Sequence, residues 1–227
     1  MMISKQVPRS AVCLLLLAIA LNFHGCASYT PTLVRLIPSG PDTKKAENGD
    51  LTVYAEEFVT GEKSQRAFDA NMPAEGVLPI LISVENTGQK PFDVNVADVC
   101  LRGEKPFKLL APEDAALRAQ RGTAARALGW SMIVPIITIP FAIGASAIHT
   151  GDVNQQIVRD FVAKGLPDGA VLPNKEKSGF VFFESEGSHK DVVGMTLEVT
   201  VRNTDTGEPI SVQIPLSQTS KEPLPDK

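Results

Sequence analysis

The sequence is poor in the residues that carry chemistry. Its 227 residues hold 3 cysteines, 3 histidines, 1 tryptophan and 2 tyrosines, and aromatics make up only 6% of it. No Gly-rich phosphate loop, HExxH, CxxC or GxSxG segment is present. The phosphate cradle, the zinc-protease helix, the thiol pair and the nucleophile elbow therefore have no residues to build them. Carboxylates are numerous but scattered. Glu56 and Glu57 are adjacent in a strand-like run, where neighbouring side chains point to opposite faces, so they are no matched acid and base. Glu113-Asp114 suits the first turn of a helix, where the dipole favours negative charge. Glu184-Ser185-Glu186 reads as a solvated polar loop, with calcium binding as the alternative. Basic charge is also in deficit. The formal net charge is -4, which argues against nucleic acid, because phosphate binding needs a basic face. The chain is read as non-enzymatic, with no catalytic residue, no metal site and no cofactor.

What is there begins at the N-terminus. Lys5 and Arg9 precede a short apolar run, Ala11 to Leu21, and Phe23-His24-Gly25-Cys26 follows. This order is that of a secretory signal. The run of about 11 residues is short for a membrane-spanning helix, which needs roughly 20. An ordinary cleaved signal peptide and an uncleaved anchor are the alternatives to what Cys26 suggests. Phe23-His24-Gly25-Cys26 resembles the lipobox of bacterial lipoproteins, with Phe23 in place of the usual Leu and a large His24. The resemblance implies cleavage before Cys26, lipidation of Cys26, and a cell-envelope location. Ala27 after the cysteine leans towards the outer membrane of a double-membraned bacterium, with the domain facing the periplasm. The mature chain then loses Lys5 and Arg9, leaving a net charge of about -6. Cys100 is left alone, so no internal disulfide forms. It lies in the strand-like run Ala97 to Leu101 and reads as a small buried hydrophobe rather than a nucleophile.

The body alternates with period two. Leu51, Val53 and Ala55 form one apolar face. Leu78, Ile80, Ile82 and Val84 form a second, and Phe92, Val94 and Val96 resume it after Asn86-Thr87-Gly88, a hairpin signature. Pro79 suggests an edge position or the start of a strand. Phe180 to Phe183 is apolar on both faces and reads as central. Met195 to Val201 and Ile210 to Leu216 form a second hairpin around Thr204 to Gly207. A short helical or looped piece is expected near Ser64 to Phe68. Strands at this spacing suggest a mainly β protein, a β-sandwich. The segments ISVENTGQKPFDV and LEVTVRNTDTGEPISVQIPL resemble immunoglobulin-like domains of bacterial surface proteins, and Gly76 to Asn86 is similar to a phrase in uncharacterised lipoproteins. These resemblances imply a fold and say almost nothing of function.

Between the halves lies a helical insertion, 112–166. Pro112-Glu113-Asp114 opens a helix with a small-residue stripe, Ala115, Ala119, Thr123 and Ala127, and a basic side, Arg118, Arg121 and Arg126. Leu128 to Ile148 then runs for about 21 residues without charge. Asp152 reads as an N-cap for an amphipathic helix of Val153, Ile157, Val158, Phe161 and Val162, ended by Gly165. The uncharged run is long enough to span a bilayer at about 1.5 Å per residue. A single crossing would put the two strand sets on opposite sides, where neither covers its own apolar face. Pro135 and Pro140 permit a reversal that dips into one leaflet. Packing on the sandwich or on a second copy is the third reading.

The expected organisation is a signal peptide 1–25, a lipidated N-terminus and tether 26–50, a single immunoglobulin-like β-sandwich 51–216 interrupted by the insertion 112–166, and a flexible tail 217–227. The expected role is that of a lipid-anchored envelope interaction or scaffold protein. Membrane attachment comes through the Cys26 lipid. Docking on membrane, on an envelope protein or on a second copy comes through Trp130, Ile133, Pro135, Ile136, Pro140 and Phe141. The alternative is a carrier holding an acyl chain or other apolar ligand beneath the helices.

Overall fold

The computed structural model describes residues 29–32, 34–104, 106–120, 153–185 and 194–216. Alternating apolar residues form two antiparallel sheets. The strands are β1 (Lys44–Asn48), β2 (Leu51–Glu57), β3 (Val77–Asn86), β4 (Phe92–Arg102), β5 (Leu109–Leu110), β6 (Gly169–Val171), β7 (Lys175–Glu184), β8 (Thr196–Asn203) and β9 (Pro209–Pro215). One sheet runs β1-β2-β3-β7-β5 and the other β6-β4-β8-β9. Each sheet thus draws strands from both sides of the insertion. Leu78, Ile80, Ile82 and Val84 of β3 face Val94, Leu101, Leu197 and Val199 of the other sheet across a shared buried core.

The larger sheet is buried on both faces, as the doubly apolar run of β7 requires. Val181 and Phe183 point into the inter-sheet core, whereas Phe180 and Phe182 point outward. That outer face is covered by three helices: α1 (Gly61–Phe68), α2 (residues 112–120) and α3 (residues 153–164). Thr60 caps α1, its side chain accepting from the Lys63 amide, in the usual manner of a threonine N-cap. Ala115, Ala116 and Ala119 of α2 and Ile157 and Phe161 of α3 are buried against the sheet. Gly165 ends α3, its amide donating to the Phe161 carbonyl. Val162, expected on the apolar side, is 47% exposed, because it sits one residue past the Ile157–Phe161 seam.

Three expectations need correction. β3 and β4 are not a hairpin: β3 pairs with β2 and β7, and β4 with β6 and β8. The turn after Asn86 instead carries the chain from one sheet to the other. Buried Asn86 holds it, its side-chain amide donating to the Lys90 and Val171 carbonyls and its oxygen accepting from Gly88. Pro79 lies near the start of a strand, one of the two positions expected, but that strand is central and not an edge. Its carbonyl accepts from Phe58, just past the last β2 pair at Glu57. The missing N–H therefore falls where β2 has stopped, since both groups of a strand residue point to one side. Residues 29–32 and 34–50, expected within a tether, are built into the body: Tyr29 is buried, and β1 pairs with β2 along its length. A charged, exposed edge strand such as β1 reads as a linker because edges are protected by charge.

Gly179 on β7 marks a close approach. A Cβ there would lie 2.5 Å from the backbone N and Cα of Leu166, whose amide donates to the Phe180 carbonyl. Elsewhere in a strand, replacing Gly by Ala is expected to stabilise by roughly 0.5–1 kcal/mol. Here Gly179→Ala is expected to cost about 1–3 kcal/mol through overpacking against backbone. Denaturant unfolding of the variant beside its parent decides it by sign.

Candidate functional site

The helix layer is where the chemistry of the described residues concentrates. Its interior is aromatic. The Phe68 ring lies 4.8 Å from Phe161, 4.8 Å from Phe180 and 5.7 Å from Phe182. Phe58 meets Phe180 edge-on at 4.9 Å. Each of the rings around Phe68 is at most 1% exposed, so the layer is filled by its own side chains.

At its rim sits a polar cluster. The Lys164 side chain is 9% exposed and its ammonium donates to Asp160 Oδ2 at 2.5 Å and to the Ala67 carbonyl at 2.6 Å. It also lies over the Phe68 ring, 5.4 Å from the centroid. Tyr29 Oη donates to the same Asp160 oxygen at 2.5 Å. Burial, followed by the hydrogen bond and negative charge of Asp160, pushes the Tyr29 phenol above its ordinary range. The bonds of Tyr29 and Lys164 to Asp160 make the cluster a clamp. The clamp ties the N-terminal segment to α3 and α1. The Thr30 amide donates to Asp69 and the Thr32 amide to the Arg66 carbonyl. Glu56 extends the tie, accepting from the amides of Ser39 and Gly40 and pairing with Lys63 at 2.7 Å. Burial works to raise the Glu56 carboxyl, but these partners outweigh it and hold the group below its usual range.

α2 and α3 lie antiparallel. Pro112 sits beside Gly165 at one end, and at the other the Gln120 side-chain amide donates to the Asn154 carbonyl at 3.1 Å. Arg118 fixes this end to the sheet, bonding the Gly76 carbonyl at 3.0 Å and the Glu184 carboxylate. The hydrogen bonds and charges of Arg118 and Lys108 hold Glu184 below the usual carboxylate range. Glu184, expected as a solvated loop residue, is thus the anchor of a helix. Arg118, expected on a basic side, spends its charge on that anchor.

A cleft of about 710 Å³ opens at the opposite pole, lined by residues including Asp50, Gly88, Lys90, Asn203 and Ser211. Its lining holds no histidine or cysteine. Cys100, expected as buried, is half-exposed and unbonded to another cysteine. It points away from the core because Val99 and Leu101 on either side point in. Among the described residues no group of three or more His, Cys, Asp or Glu could hold a metal ion. No helix among them is long and apolar enough to cross a membrane.

The lipidation residue Cys26 and the docking residues Trp130, Ile133, Pro135, Ile136, Pro140 and Phe141 lie outside the described residues. Sequence reasoning missed Tyr29, Phe68, Asp160 and Lys164. The only local signal was Asp160 and Lys164 four residues apart on an expected helix, a common surface pair.

No protein-family model matches the chain, and no curated protein matches its sequence. Among solved structures, a Bacillus subtilis protein, ycdA, described as a candidate lipoprotein, is similar at 13% identity with a TM-score of 0.36. The match covers 80% of this chain and 40% of that one. A likeness this loose supports no inference about this chain, which spans about 40% of that protein's length.

Proposed function

We propose that this is a lipid-anchored cell-envelope interaction or scaffold protein, held by Cys26 and docking through 128–148 on membrane or a protein partner. Its body is an immunoglobulin-like β-sandwich facing the periplasm from the outer membrane. The observation that carries the reading is the pairing of Gln120 with Asn154. The described helix ends on either side of 121–152 thus lie together, which supports docking from one side rather than a single crossing. The filled aromatic layer supports an interaction role over a carrier, since Phe180 and Phe182 already take the place a ligand would need.

The test is fractionation. Lipid chains contribute about 0.8 kcal/mol per buried CH₂, and more than one chain gives stable attachment. Wild-type protein is expected to stay with membranes after carbonate washing, and Cys26→Ser to move to the soluble periplasmic fraction. If Cys26→Ser stays bound but is freed when 121–152 is also replaced by a short turn, the insertion and not the lipid is the anchor.

A further inference from the structure

We infer that β1 is an interface between two copies of this chain, which pair edge to edge about a two-fold axis at Ala46. The pairing is separate from docking through 128–148 and needs no lipid on Cys26.

The hydrogen bonds around β1 fix which of its main-chain groups are free. The Thr87 amide donates to Asp50 and the Phe58 amide to Pro79. Both bonds continue the β2–β3 register by one residue. Bonded pairs recur at every second residue, so Leu51, Val53 and Ala55 turn their N–H and C=O towards β1. Their partners there are Asn48, Ala46 and Lys44. Lys45 and Glu47 therefore direct their main-chain groups outward from the sheet edge. Their side chains are 49% and 59% exposed.

The other outer strands offer less. β5 has two residues and β6 three. β9 has seven, but its open side is blocked. The Asn203 amide donates to Glu208 and the Leu216 amide to Met195, which leaves Pro209, Ser211, Gln213 and Pro215 facing away from β8. The two prolines have no N–H to give, and the Ser211 carbonyl already accepts from the Asn48 side chain.

β1 has no proline, and its sequence, Lys44-Lys45-Ala46-Glu47-Asn48, complements itself. Read antiparallel about Ala46, Lys45 falls opposite Glu47 of the second copy, and Glu47 opposite its Lys45. These are the residues whose main-chain groups are free, so each pair exchanges two N–H···O=C bonds. Opposite charges face each other in both pairs, which stabilises a strand pair, whereas like charges oppose it. A slip of two residues puts Lys45 against Lys45 or Glu47 against Glu47, so charge selects the register. Edge lysines ordinarily keep foreign strands away. This edge repels a strand of like pattern in any register but one, and that one admits a copy of itself. An interface so formed is isologous and closes at two copies. Ala46 on the axis is small enough for the approach of about 4.5 Å between Cα atoms that such a central pair requires.

Full-length protein carrying Cys100→Ala and Ala46→Cys is oxidised with copper–phenanthroline in the expressing cells and run on a non-reducing gel. Two cysteines on the axis lie within disulfide reach, and a species of twice the chain's mass is expected. Far less is expected from Cys100→Ala alone, or with Lys108→Cys, an exposed position beside β5 at the opposite edge of the sheet. Adding Lys45→Glu or Glu47→Lys to the Ala46→Cys protein is expected to cut the crosslinked fraction several-fold. Co-expressing the two reversals is expected to restore it, since an acidic edge then meets a basic one. A fault within one chain is not repaired by a second chain, so this rescue reads the contact between copies. No dimer with Ala46→Cys overturns the interface, as does equal crosslinking at position 108 or with no added cysteine. A dimer indifferent to both reversals, or reversals that co-expression does not rescue, overturns the register. An adduct of any other mass makes another protein the occupant and overturns the second copy.

Discussion

Cut within 121–152, the chain is expected to give two pieces, neither of which folds alone. The first holds β1 to β5 with α1 and α2, and the second α3 with β6 to β9. β7 is the strand between β3 and β5, and β4 lies between β6 and β8. Each cut piece therefore loses the centre of one sheet or the partner of the other. Phe180 and Phe182 would lose Phe68, and Val199 would lose Val94 and Leu101. Isolated hairpins and short sheets are marginal in water. Circular dichroism and thermal melting of each piece are expected to show no cooperative transition, and co-expression is expected to restore one. Two pieces that each melt cooperatively would break the shared-core account. The converse splice is expected to fold. Gln120 and Asn154 are already in hydrogen-bond contact, and antiparallel helices are joined by 2–5-residue loops. Replacing 121–152 with a four-residue turn is therefore expected to leave a single cooperative melt.

The alternation that produced β2, β3, β7, β8 and β9 is written in the sequence because each strand has a face in the inter-sheet core. The doubly apolar Phe180–Phe183 run reads as central, and β7 does lie between β3 and β5. The β8–β9 hairpin was legible because its turn is local, closed by Gly207 donating to Asn203. The β3–β4 connection has the same local chemistry and a different outcome. What decides it is Asn86 reaching Val171, 85 residues away, and no window of sequence contains both. β1 was hidden by its charge. The clamp was hidden by distance, since Tyr29 and Asp160 are 131 residues apart. Polar clusters assembled by the fold have no period to read. Hydrophobic faces do, and for that reason the cores were legible and the candidate site was not.

Phe68→Ala is expected to be the most damaging single core substitution in the helix layer. α1 is eight residues long, too short to hold together by propensity, since isolated helices below about 12–15 residues are marginal. Packing of one ring does that work. Phe68 is fully buried and touches three other phenylalanines at 4.8–5.7 Å. It also gives the Lys164 ammonium an aromatic face at 5.4 Å. Truncating a buried Phe costs about 3–5 kcal/mol in transfer and cavity terms. A domain holds only about 5–15 kcal/mol in total, so the loss is a large share of what is available. The damage is also expected to spread along the clamp. Ala67, whose carbonyl accepts from Lys164, precedes Phe68, so loosening α1 loosens Lys164, then Asp160, then Tyr29. Phe68→Leu keeps most of the apolar volume and is expected to lose much less. Denaturant midpoints of both variants, each beside its parent, measure the difference. Trypsin cleavage at exposed Arg35 reports the N-terminal segment and is expected to speed up only in Phe68→Ala. If Phe68→Ala unfolds within about 1 kcal/mol of its parent, far short of the Phe→Ala range, the helix layer contributes little. Stability would then rest on the core between the two sheets.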